Sequence, residues 1–77
     1  MERIELELLT DERVSYRYYP EFRDDFGIVS LMRKTDKVIH DKVYPDVTTM
    51  YVRQAVYRMR QYNKAGEFPE KATVMWY

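Results

Sequence analysis

Seventy-seven residues leave room for one small core and no second one, so residues 1–77 are expected to form a single small domain. Thirteen Lys and Arg balance thirteen Asp and Glu, which removes the overall basic excess of many nucleic-acid binders, and zero cysteines exclude disulfide staples and thiolate metal sites. An apolar share of 45% is too rich for a disordered chain, while a mean hydropathy of -0.66 and no apolar run near the ~20 residues of a bilayer span argue against a membrane segment.

The opening Met1-Glu2-Arg3-Ile4-Glu5 lacks the basic start and apolar block of an export signal, and with no cysteine the expected location is cytoplasmic. Ordering each backbone unit of so short a chain costs ~1–2 kcal/mol, so its few interior positions need large side chains. Eight tyrosines, three phenylalanines and one tryptophan supply that area, and a tyrosine can keep its hydroxyl wet at the rim of a thin core.

Residues 3–9 alternate in polarity with Ile4, Leu6 and Leu8 on one side, the period of a half-buried strand. Thr10-Asp11-Glu12 has turn chemistry, and Val14, Tyr16 and Tyr18 then alternate with Arg13, Ser15, Arg17 and Tyr19 until Pro20. The two strands read as a hairpin in which Leu8 faces Val14, Leu6 faces Tyr16 and Ile4 faces Tyr18, with Glu5 opposite Arg17 on the wet side.

Residues 20–26 have turn formers and no period, after which Gly27 begins the apolar run Ile28 to Met32. Lys34-Thr35-Asp36-Lys37 reads as the tip of a second hairpin returning from Val38 to Tyr44, with a stop at Pro45. Either face could point inward, Ile28, Met32, Ile39 and Val43 or Val29, Leu31, Val38 and His40, which suits a strand pair covered on both sides or one whose second face is used for association.

Asp46 can cap a helix over 47–65 that turns Val52, Ala55, Val56, Met59 and Tyr62 to one face, and Gly66 with Pro69 ends it. The β-branched and aromatic tail, 71–77, reads as a last strand. The expected fold is therefore α+β in the order ββββαβ: a small sheet of about five strands, antiparallel or mixed, with one amphipathic helix on one face. The proposed strand order is 5-1-2-3-4.

The sharpest constellation for function lies on that helix. Arg53, Tyr57, Arg60 and Lys64 recur at i, i+4, i+7 and i+11 and form one cationic, aromatic flank beside the core face. Such a flank suits an acidic protein partner or nucleic acid, although basic helix faces are also routine as solvated surface.

Charge is split along the chain: residues 1–25 hold eight acids and four bases, residues 26–77 nine bases and five acids. The acidic loop around Glu21, Asp24 and Asp25 carries Phe22 and Phe26, which would be contact anchors if exposed and lids on the core if buried. That separation also admits a homodimer in which loop meets helix flank.

His40, the only histidine, precedes Asp41 and could be a general base in a small hydrolase or nuclease, but no second titrating group stands at a useful spacing. One imidazole with Asp36, Asp41 and Asp46 matches no zinc or calcium pattern, and two glycines make no phosphate cradle, so neither a metal nor a cofactor is implied. The sequence therefore points to a small non-catalytic binding or regulatory domain acting through protein–protein contact. Arg53, Tyr57, Arg60, Lys64, Phe22 and Phe26 are the candidate contact residues, and nucleic-acid binding is the alternative.

Overall fold

The computed structural model describes residues 1–21, 23–44 and 49–75. Among these, β1 (Glu2–Leu9), β2 (Arg13–Pro20), β3 (Gly27–Met32), β4 (Val38–Lys42) and β5 (Lys71–Val74) form one sheet, and α1 (Met50–Ala65) connects β4 to β5. The order across the sheet is β4-β3-β2-β1-β5 with every neighbouring pair antiparallel, so the fold is α+β, ββββαβ, without a parallel pair.

The first hairpin closes on Thr10. Its hydroxyl accepts the backbone N–H of Arg13 at 3.0 Å and that of Glu12 at 3.3 Å, a side-chain turn that replaces two backbone partners. Beyond it the register pairs Ile4 with Tyr18, Glu5 with Arg17 and Leu6 with Tyr16, as the alternation predicts.

The expected pairing of Leu8 with Val14 is overturned. Leu8 pairs with Ser15 and Leu9 with Val14, because Glu7 is an extra residue, a β-bulge, in β1. The insertion shifts the phase of the strand, so Leu8 joins Ser15 on the sheet face remote from the helix and is 44% exposed. A second bulge in β4 makes Asp41 the extra residue, between His40 opposite Val29 and Lys42 opposite Ile28.

The second hairpin turns the face with Val29, Leu31 and Val38 toward the core, and the chain beyond Lys42 returns Tyr44 to the interior. His40 shares that phase but stays exposed on an outer strand. Ile28 and Ile39 are half-buried on the opposite face.

The core lies between α1 and the sheet face made by Ile4, Val14, Tyr16, Tyr18, Val29, Leu31 and Val74, onto which Ala55, Val56 and Met59 of the helix pack. Gly66 adopts φ 76° and donates its N–H to the carbonyl of Tyr62 at 2.8 Å, ending the helix where the sequence predicts. The start differs: the helix begins at Met50, with Thr49 as N-cap and no side-chain cap, whereas the sequence predicts it from residue 47. The proposed cap Asp46, with Val47 and Thr48, lies outside the described residues.

The last strand is also shorter than predicted, ending at Val74 rather than running to 77. Val74 pairs with Glu2, the first residue of β1, so Met75 has no strand left beside it, and Trp76 and Tyr77 lie outside the described residues.

Gly27 is required by a close approach. It stands opposite Tyr18, whose ring folds over it so closely that a Cβ at this position would overlap the ring. The Tyr18 hydroxyl in turn accepts the N–H of Tyr44 at 3.3 Å, which ties the ring in place. Gly27→Ala is expected to destabilise the fold by about 1–3 kcal/mol, the cost of overpacking a filled interior, measured as a lower denaturant midpoint with unchanged slope.

Candidate functional site

The two faces of the sheet handle charge differently. On the face remote from α1, the central strand β2 presents Arg13, Ser15, Arg17 and Tyr19, and the two bulges supply the acids that meet its arginines. Arg17 pairs with Glu7, and Arg13 pairs with Asp41. Arg13 also donates to the Ser30 hydroxyl at 3.1 Å, the Ser15 and Ser30 hydroxyls lie 2.6 Å apart, and Ser30 donates to Asp41. Glu5 stands opposite Arg17 in the ladder, yet its ionic partner is Arg3 at 3.8 Å.

Phe26 belongs to this same face. It is half-buried, with its ring centroid 5.3 Å from that of Tyr19, the Arg17 guanidinium 5.0 Å away and the Lys42 ammonium 4.2 Å away. Cations over both aromatic rings, with Arg3 4.2 Å from Tyr19, make this cluster a cover on the sheet. Phe22 lies outside the described residues.

The helix has no such pairing. With Tyr57 as origin and about 100° per residue, Arg53, Arg60 and Lys64 fall within about 40° of one another to one side of it, a flank that lies opposite the buried Ala55 and borders the buried Val56. All three are exposed, and Tyr57 is 57% exposed among them. Among the described residues the one side-chain hydrogen bond of the three is a donation from Arg60 to the backbone carbonyl of Asp36 at 3.3 Å. Among the described residues none of these cations pairs with a carboxylate.

Position is set by the turn after β3. Asn63 donates to the Arg33 carbonyl at 2.8 Å and to the Asp36 carboxylate at 3.1 Å, fixing the C-terminal half of α1 on that turn. Asp36 holds φ 59°, a conformation in which asparagine and aspartate are favoured. Asp36, Tyr57, Arg60, Gln61 and Lys64 line a shallow open depression between helix and turn.

The structure therefore brings Arg53, Tyr57, Arg60 and Lys64 together on one surface and leaves Phe26 on the other side of the sheet. No family model, curated protein or solved structure matches this chain. Its chemistry must be read from its own residues.

His40 is exposed on β4, and the carboxylate that would orient it in a catalytic reading, Asp41, is engaged by Arg13 and Ser30. Among the described residues no three His, Asp or Glu side chains converge as a metal site requires, and no helix is long and apolar enough to cross a membrane.

Sequence reasoning missed Glu2. It sits on the core side of the sheet edge, paired in register with Pro20 and Val74, is 1% exposed, and among the described residues neither carboxylate oxygen has a hydrogen-bond partner. Burial pushes its carboxyl up to about 8, opposed by the Met1 ammonium and reinforced by Glu21. Glu21 itself is held low by the Tyr51 hydroxyl, which donates to it at 2.6 Å. The available signal was the alternation, which places Glu2 in phase with Ile4 and Leu6.

Proposed function

We propose that this chain is a small non-catalytic binding domain that acts through protein–protein contact, with the outward face of α1 as its contact surface. One contrast carries the reading. The sheet arginines Arg3, Arg13 and Arg17 each meet a carboxylate, whereas Arg53, Arg60 and Lys64 meet none among the described residues. A chain with thirteen acids has the means to neutralise a helix face, and among the described residues no carboxylate pairs with the cations around the exposed Tyr57. The cysteine-free composition supports a cytoplasmic setting for such a domain.

Arg53→Glu combined with Arg60→Glu is expected to abolish capture of the partner from a native lysate while the far-ultraviolet spectrum and melting temperature stay as in the parent, since both side chains are exposed. Capture that survives the double substitution refutes the surface.

Tyr57 among the three cations is the specific observation that favours nucleic acid as the second reading, because bases stack on exposed aromatic rings while cations track phosphates. In that case affinity for a single strand or duplex falls steeply between ~50 mM and physiological salt. No binding at the lower concentration removes this alternative.

A further inference from the structure

We infer that the occupant of the α1 surface is an acidic amphipathic helix of a partner protein. This assignment rests on the contact reading above and names the chemistry that the surface accepts.

The helix carries Arg53, Arg58, Arg60 and Lys64 and not one Asp or Glu along its sixteen residues. Its outward face is ordered in parallel rows. Arg53, Arg60 and Lys64 form a cationic row on one side, Met50 and Tyr57 form a central ridge, 46% and 57% exposed, and Gln54 with Gln61 form a neutral row on the other side. The three cations are separated by about 10 and 6 Å along the axis, the rise of seven and four residues. A second helix lying along the ridge repeats the same period, so carboxylates spaced by seven and four residues beside an apolar stripe meet the cationic row and cover the ridge together.

Nucleic acid fits this arrangement less well, because a phosphate chain offers nothing to the Met50 side chain, and the fourth cation, Arg58, is half-buried and separated from the cationic row by the ridge and Gln54. A second copy of the chain fits worse. Its own helix has no acid, its strand acids Glu5, Glu7 and Asp41 are engaged by arginines, and its exposed acids Asp11, Glu12, Asp24, Asp25, Glu67 and Glu70 lie in turns and loops, where no helical spacing matches the cationic row.

The test titrates the isotope-labelled full chain with a synthetic helical peptide bearing Glu at i, i+4, i+7 and i+11 beside a stripe of leucines, which serves either orientation. A shuffled peptide of equal composition and a single-stranded oligonucleotide are the comparisons. The patterned peptide is expected to bind at least about tenfold tighter than the shuffled one, with amide shifts centred on residues 50–64. Arg53→Glu with Arg60→Glu is expected to lose at least about tenfold, recovered when the peptide carries Lys in place of Glu.

Equal binding of both peptides, tighter binding of the oligonucleotide, or shifts away from α1 overturns the assignment. If the double variant still loses its partner in the lysate experiment while the patterned peptide has no advantage, the acidic-helix assignment falls and the contact surface stands. If the variant keeps its partner, the surface itself is wrong.

Discussion

Glu2→Gln is expected to remove most of the pH dependence of stability between about pH 4.5 and 8. The parent carboxyl is buried without a hydrogen-bond partner among the described residues, and burial moves its folded value from 4.5 to about 8, so across this interval the folded chain holds a proton that the unfolded chain has released. Stability is therefore highest below the unfolded value, falls as the pH rises through the window, and levels off above about 8. The loss across it is on the order of 5 kcal/mol, because each unit of displacement corresponds to about 1.4 kcal/mol. Glutamine keeps the shape and has no proton to lose. Urea unfolding of both proteins at several pH values provides the comparison: the variant's curve should run flat where the parent's declines, the two diverging most above pH 8. Parallel curves would show that the Glu2 carboxyl is solvated in the native state.

Tyr16→Ala is expected to be the most damaging single truncation in the core, at about 3–5 kcal/mol. Tyr16 lies on the central strand, is fully buried, and packs its ring 6.0 Å from that of Tyr62 on the helix. Its hydroxyl donates to the Pro69 carbonyl at 2.6 Å, securing the segment that leads into β5. One side chain thus joins sheet, helix and the approach to the last strand. Tyr16→Phe separates the two contributions, since it keeps the ring and leaves the Pro69 carbonyl without this donor, an expected cost of about 1–2 kcal/mol. Thermal or denaturant melts of the two variants should differ by the larger, packing share. A phenylalanine variant as unstable as the alanine one would reverse that apportionment.

Much of this fold is legible in the residues because its signals are local. Period-two alternation identifies Ile4, Leu6, Val14, Tyr16 and Tyr18 as one buried side, and a glycine after a basic helical turn marks the end at Gly66. The bulges are not legible in the same way. Glu7 and Asp41 are inserted residues, and a pattern of alternate polarity reports the phase of a strand without reporting where the phase jumps. The faces of the second hairpin stayed ambiguous because Ile28 and Ile39 are apolar and yet turn away from the helix.

The candidate site divides along similar lines. Spacing alone aligns Arg53, Tyr57, Arg60 and Lys64 on one flank, since helical geometry depends on nothing else. That they lack carboxylate partners among the described residues depends on where β1 and β4 aim Glu7 and Asp41, a tertiary matter. Phe26 shows the converse: its loop reads as an exposed acidic anchor or as a lid, and only the positions of Tyr19, Arg17 and Lys42 decide that its ring is covered.

The short outermost strands, five residues in β4 and four in β5, have a bearing on self-assembly. Each border offers unsatisfied backbone groups that another sheet could extend, the first step toward a fibril. A kinked ladder at Asp41 with Lys42 next to it on one border, and brevity with the charged Lys71 on the other, make both poor templates for a growing stack.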